Sequence, residues 1–210
     1  IGWSVDLGSR VVDKEVKKVT ESAVKTFEDL GADVEPLNFD INLDELEYPL
    51  HNILSFALSY ATNGHLLDKD PELLMPYVRN TLEKGRNITG NEYLQSLAKL
   101  YEFRAKIDRI FEKYDFISTP TMAMPAFKCN ERPLFASGKN ELQPFNYDYV
   151  SWNIQLTQFT ALFNWSGNPA AAIPCGFSSS GLPISLKIVG KKENEVGVLQ
   201  ASRAFEKAKP

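Results

Sequence analysis

Val12, Val16, Val19, Ala23, Phe27 and Leu30 recur at spacings of three and four, the stripe of a helix that buries one face. Asp13 stands where an N-cap belongs, and Gly31 supplies a stop. Short apolar runs at 1–5 and 34–37 flank this helix, so residues 1–37 read as β-α-β. Pro36 suits an edge strand or a strand end, because it cannot donate to a ladder. Residues 43–114 read as helical. Positions 46–60 are apolar on most sides, which predicts burial all round. Pro71 and Pro76 punctuate a short helix up to Gly85. Thr89-Gly90-Asn91-Glu92 has the capping-box pattern and opens a long helix. Tyr93, Leu97, Leu100, Phe103, Ile107, Ile110 and Tyr114 form one face of it, with Lys99, Glu102, Lys106 and Arg109 mostly elsewhere.

From Asp115 the texture changes, and residues 115–210 form a third stretch. Phe116-Ile117-Ser118 predicts a strand that leads into a proline-bounded loop at 119–125. Residues 126–150 show no period and read as loop. Positions 152–163 suit one helix. Residues 170–175 and 184–189 read as strands joined by a turn at Ser178-Ser179-Ser180-Gly181. Asn194 caps a last helix with Val198, Ala201, Phe205 and Ala208 on one face. The expected class is α/β, a mixed sheet covered by helices.

Composition removes several function classes. The chain has 210 residues, one or two domains at roughly 150 residues each. Its 13 Phe, 8 Tyr and 3 Trp exclude wholesale disorder. A net charge of −4 speaks against a nucleic-acid binder, which needs a basic face. No apolar run approaches the ~20 residues that span a bilayer, so no membrane partner is expected. Two cysteines, Cys129 and Cys175, make neither a metal site nor a disulfide framework. The expectation is a reduced, cytoplasmic chain without a signal peptide, metal or cofactor. Ile1 rather than Met opens the chain and enters a strand directly, which suits a trimmed chain or the back half of a longer protein.

The usual catalytic constellations are missing: there is no G-x-S-x-G, H-E-x-x-H, P-loop or dinucleotide-binding glycine pattern. His51 and His65 have no partner at metal-ligand spacing and read as structural. Cys175, in Pro174-Cys175-Gly176, reads as a buried, inert thiol with no activating neighbour. The serine run at 178–180 reads as a hairpin turn rather than a nucleophile loop.

The informative stretch is 159–190. Phe159, Thr160, Asn164, Gly167, Pro169, Ala170, Pro174 and Gly176 are followed by Gly181-Leu182-Pro183 and Gly190. This resembles the C-terminal part of the amidase-signature family, with its F-T-x-x-x-N-x-x-G-x-P-A-x-x-x-P-x-G phrase and G-L-P-x-x-x-x-x-x-G. Tyr114-Asp115 to Thr119-Pro120-Thr121 looks like the family's Y-D-x-x-x-x-P-T segment. Residues 1–8, Val12-Asp13 and 30–35 resemble its strand-helix-strand entry into the second half, so the resemblance covers essentially the whole chain.

The resemblance implies part of the amidase-signature fold and hydrolysis of amide bonds other than peptide bonds. It also implies what is missing. The family's nucleophilic Ser, bridging Ser and Lys base, and its Gly/Ser-rich signature, lie upstream of the position matched by Ile1. No residue here matches them, so no catalytic residue is assigned and the chain alone is expected to be inactive. Its partners are then a small-molecule amide, the missing N-terminal half and, in a homo-oligomer, a second copy.

Counting back from Asn164, the family's substrate-facing positions match Ile154, Thr157 and Ala161. Spacings of three and four put them on one helical face, which suits either a pocket wall or core contacts. The loop at 119–125, with Met122, is a further substrate-binding candidate. In glutaminase-like members that feed transfer-RNA amidotransferases, an Asp at the position of Thr157 holds the substrate amine; here that position is uncharged. The companion Arg position falls, aligned on Gly85, at Thr81, with Arg79 two residues away. A general amidase is therefore favoured. The glutamine-hydrolysing subunit of a transfer-RNA amidotransferase and a non-catalytic binding or assembly module are the alternatives.

Overall fold

The computed structural model describes residues 1–8, 10–128, 135–137, 141–143 and 157–209. The chain divides into two units: Ile1–Asp40 with Ile107–Pro210, and Ile41–Lys106.

The first unit is built on a five-stranded sheet. Its strands are β1 (Gly2–Trp3), β2 (Glu35–Pro36), β3 (Phe116–Pro120), β6 (Ala170–Phe177) and β7 (Pro183–Gly190), in the order β2-β1-β3-β7-β6. β1 runs parallel to β2 and β3, whereas β7 is antiparallel to both its neighbours, so the sheet is mixed. Pro36 does lie in the edge strand, where its missing N–H costs no ladder bond.

Two helices cover one face. Helix α1 (Lys14–Asp29) starts at Asp13, whose carboxylate accepts from the backbone N–H groups of Glu15 and Val16. It ends before Gly31, which takes φ +89°. The last helix spans Glu195–Ala208, and the Asn194 side chain accepts from the Gly197 N–H. Val16, Ala23, Val24 and Phe27 of α1 and Phe205 of the last helix pack on Ile173, Cys175, Ile184, Leu186 and Ile188. The Phe27 and Phe205 rings meet at 5.3 Å. Leu30, expected on the buried stripe, is exposed because the helix has already ended there.

Residues 126–150 are not all loop: a short antiparallel pair, β4 (Phe135–Ser137) and β5 (Glu141–Gln143), forms within them. Strands of three residues give too little alternation to register as a period.

The second unit is helical: α2 (Leu43–Leu46), a π-helical stretch (Glu47–Ser55), α3 (Phe56–Asn63), α4 (Leu66–Lys69), α5 (Pro76–Arg86) and most of α6 (Gly90–Lys113). Leu50, Ile53 and Phe56 are buried, but Tyr48 and Leu58 are exposed, so the 46–60 segment is one-sided rather than buried all round. Gly85 of α5 packs directly on the Phe56 carbonyl of α3. The capping box closes as its pattern implies: the Thr89 N–H donates to Glu92 at 2.8 Å, and the Glu92 N–H donates to the Thr89 hydroxyl at 3.2 Å. The buried side of α6 is set by Ser96, Phe103, Ile107 and Phe111, while Tyr93 is exposed at its first turn.

Candidate functional site

The β6–β7 hairpin places different chemistry on its two faces. Strand alternation sends Ile184, Leu186 and Ile188 into the core and Ser185, Lys187 and Val189 to the other side. Registered partners share a face. Thr119 of β3 and Ala172 of β6 both pair with Lys187, and Pro174 pairs with Ser185. Just past β3, the Thr121 N–H donates to the Ser185 carbonyl at 3.1 Å. The face away from the core thus carries a hydroxyl- and amine-bearing band next to small residues. Ala172 and Pro174 are exposed, whereas Thr119 and Lys187 are buried. The Thr121 hydroxyl is buried and has no hydrogen-bond partner among the described residues.

Among the described residues Lys187 is the deepest charge on this face, with 4% of its surface exposed. Its Nζ donates to the Phe159 carbonyl at 2.6 Å and stands 5.5 Å from the centre of the Phe163 ring. Burial pushes its ammonium down from an ordinary lysine value to about 8, because removal from water disfavours the charged form.

Phe159 belongs to the segment that the sequence marked as substrate-facing. Thr157 and Ala161 stand two residues to either side of it, both half-buried. They do not belong to one regular helix. Residues 158–160 form a turn in which the Thr157 carbonyl accepts from the Thr160 N–H at 2.8 Å and from its hydroxyl at 3.1 Å. This three-residue closure is tighter than the four-residue closure of an α-helix. Helix α7 then spans only Ala161–Ser166. It stops at Gly167, which takes φ +78° in the left-handed region open to glycine. The expected helix over 152–163 is therefore broken at the turn. The Thr157–Ala161 spacing does not place the two on one α-helical face. Ile154 lies outside the described residues. Met122 stands apart on the loop after β3, 36% exposed. Its neighbours hold that loop, since the carbonyl of buried Ala123 accepts from the Asp13 N–H at 2.8 Å.

Sequence reasoning passed over Lys187. The available signal was a lysine inside Ile184-Ser-Leu-Lys-Ile-Val, where alternation already set it on the face opposite the aliphatic core.

The remaining candidates have structural roles. Ser178, Ser179, Ser180 and Gly181 form the β6–β7 turn. The Ser178 hydroxyl accepts from the Leu182 N–H and lies 2.9 Å from the Ser180 hydroxyl. The Ser179 N–H donates to Glu15 at 3.1 Å, and the hydrogen bonds from Ser179 hold that carboxyl below its usual range. Cys175 sits on the core side, where burial pushes its thiol up to about 11, the opposite of an activated nucleophile. An open groove of about 400 Å³ runs between α1 and the end of β6, past Glu15, Lys18, Cys175 and Phe177. It lies on the core side of the sheet and does not coincide with the Lys187 face. His51 is half-buried in an edge-to-face arrangement with Phe56, ring centres 6.2 Å apart, and burial lowers its pKa. Among the described residues no three His, Cys, Asp or Glu side chains gather as a metal site. No described helix is long and apolar enough to cross a membrane.

A face with one buried amine and several hydroxyls has no described nucleophile–base pair. It can line a pocket and hold polar groups in place. A family model described as Amidase matches residues 1–199. A glutamyl-tRNA(Gln) amidotransferase subunit from Thermodesulfovibrio yellowstonii is 31% identical over 95% of this chain and 43% of its own length. An amidase from Pseudomonas putida is 27% identical over 94% of this chain and 40% of its own length. The fold matches a bacterial aryl acylamidase of the amidase-signature enzymes, with a TM-score of 0.78 at 22% identity, over 100% of this chain and 43% of the other. It also matches 6-aminohexanoate cyclic dimer hydrolase in complex with its substrate, with a TM-score of 0.79 at 24% identity, over 100% of this chain and 45% of the other. The chain thus spans less than half the length of the relatives it matches. With the family model covering nearly all of its residues, and the 159–190 phrase standing on the β6–β7 hairpin and the turn before it, the chain belongs to the Amidase family of amidase-signature proteins.

Proposed function

We propose that this chain is the pocket-bearing C-terminal part of an enzyme that hydrolyses amide bonds other than peptide bonds. The observation that carries this reading is the family match over residues 1–199 of a chain that spans only 43% of a relative such as the Thermodesulfovibrio protein. In this reading the nucleophile, its bridging serine and its base come from sequence outside these residues. The segment described here walls the site with Thr157, Ala161 and the Met122 loop, and Ile154 is a further candidate. A serine hydroxyl is a weak nucleophile without an adjacent base, so the 210 residues alone are inactive. The partners are a small amide and the N-terminal half.

The wall is uncharged at Thr157. A substrate ammonium buried against it would lack a counter-ion, which is costly. Neutral amides are therefore the preferred substrates. The second reading, the glutamine-hydrolysing subunit of a transfer-RNA amidotransferase, is favoured by the 31% identity to an amidotransferase protein. It differs in its substrate, because glutamine carries both an ammonium and a carboxylate.

One experiment separates these readings. Ammonia release is measured from a neutral aliphatic amide, an aromatic amide and glutamine, with the chain alone and with the chain joined to its N-terminal half. The expected result is no release by the chain alone, and release by the joined protein that favours the neutral amides. Preference for glutamine supports the amidotransferase reading. Turnover by the chain alone, abolished by Ser179→Ala, overturns the proposal and the structural role of the 178–181 turn together.

A further inference from the structure

The Phe159 carbonyl is poorly provided for by its own segment. It precedes Thr160, the N-cap of α7, and so lies outside that helix's ladder of backbone bonds. Its acceptor capacity is met by Lys187, from a strand 28 residues further along the chain. Among the described residues, Lys187 is the one charged side chain buried to this depth. A methionine would fill similar space there without desolvating a charge, and a buried charge without a counter-ion is costly. The side chain is therefore poorly explained as a source of stability.

Among the described residues, the surroundings of the amine are neutral. On its own strand it lies between Ser185 and Val189, and across the sheet it faces Thr119 and Ala172. Phe163 presents its ring, and the 158–160 turn presents a carbonyl. Burial alone accounts for the lowering of its pKa, with no charged group among the described residues contributing. The bond to Phe159 is consequently the principal charge-assisted contact available to it, and such bonds are stronger than neutral ones.

We propose that Lys187 is a positioning residue for the substrate-facing turn: its ammonium grips the Phe159 carbonyl and thereby sets where Thr157 and Ala161 stand relative to a bound amide. This rests on the reading of that turn as pocket wall. The side chain does not touch substrate and takes no part in bond cleavage. It acts through the backbone two residues from each pocket candidate. Above pH ~8 the neutral amine still donates to the carbonyl in a weaker bond, while the cost of burying its charge is gone.

The test has two arms. In the first, amide hydrogen exchange is followed at fixed pH in the 210-residue chain and in its Lys187→Met and Lys187→Gln variants. Lys187→Gln keeps a neutral donor and serves as partial rescue. Loss of a charge-assisted bond predicts exchange of order tenfold faster across 157–166 in Lys187→Met, with β6 and β7 protection retained and an intermediate effect in Lys187→Gln. Carbon-13 NMR of the lysine side chains, which needs no variant, should show one lysine titrating near pH 8 together with the Phe159 carbonyl signal. Unchanged exchange at 157–166 in both variants, or a Phe159 carbonyl that ignores the lysine titration, overturns the proposal.

In the second arm the chain is joined to its N-terminal half. Lys187→Met should raise KM for a neutral amide several-fold more than it lowers kcat, with Lys187→Gln intermediate. Faster exchange with an unchanged KM means that the turn is anchored as described but does not face substrate. That result overturns the pocket reading and with it the positioning role, and is distinct from failure of the anchor itself.

Discussion

Lys187 and Phe159 are joined by a 2.6 Å hydrogen bond from a buried ammonium to a backbone carbonyl, across 28 residues of sequence. The contact links an inner strand of the sheet to the turn that carries Thr157 and Ala161. It also has a thermodynamic consequence. The folded pKa of Lys187 is depressed to about 8 from 10.5. Below pH 8 the amine is protonated in both folded and unfolded chains, and the full cost of burying the charge is present. Between pH 8 and 10.5 the unfolded chain binds more protons, so this group's contribution to stability rises with pH.

The Lys187→Met variant should therefore be more stable than the wild type at pH 7. The shift corresponds to at most about 3 kcal/mol, reduced by the lost hydrogen bond. Urea midpoints measured from pH 7 to pH 10.5 check this. The advantage of the variant should shrink as pH rises through the window, and a constant difference would show that the amine titrates normally.

Thr157→Asp tests the pocket directly. In the protein joined to its N-terminal half, kcat/KM for a neutral amide should fall by about tenfold, since an unpaired buried charge costs of order 1–3 kcal/mol. Relative use of a substrate with a free amine should improve. If the preference between glutamine and a neutral amide of similar size does not move, Thr157 is a core contact.

Gly85→Ala tests the helical unit. A Cβ at this position collides with the Phe56 carbonyl oxygen and approaches the Tyr60 Cβ to 2.8 Å. Backbone atoms cannot rotate away, so α3 and α5 must separate. Overpacking of this kind costs about 1–3 kcal/mol. Denaturation followed by near-ultraviolet dichroism, combined with hydrogen exchange of 56–63 and 76–86, should show the loss concentrated in those two helices. Wild-type protection there would contradict the close approach.

Asp13→Ala removes the cap of α1. The carboxylate accepts from Glu15 at 2.8 Å and Val16 at 3.3 Å. Its loss should cost about 1 kcal/mol, and Asp13→Asn should recover most of that. Chemical denaturation of the three proteins decides the matter, and equal stability of Asp13→Ala and wild type would rule out the cap as a contributor.

What the sequence determined by itself is local. The Asp13 cap, the Thr89–Glu92 box, the Gly31 stop, the edge position of Pro36 and the β6–β7 hairpin each depend on residues within a few positions of one another. Their conformational preferences act before any distant contact forms. The α/β class follows from the same local periods, and the 159–190 phrase carried the family. The tertiary structure decided the rest. The helix over 152–163 breaks at 158–160, where the turn closes between Thr157 and Thr160 and the Phe159 carbonyl goes to Lys187. The apolar 46–60 segment is one-sided because burial depends on where partner helices lie, which composition does not state. Alternation shows which face of β7 Lys187 occupies, but the depth of its burial comes from Phe159 and Phe163, brought over it from another part of the chain. An amine and a carbonyl 28 residues apart leave no periodic trace in a sequence, and only folding brings them together.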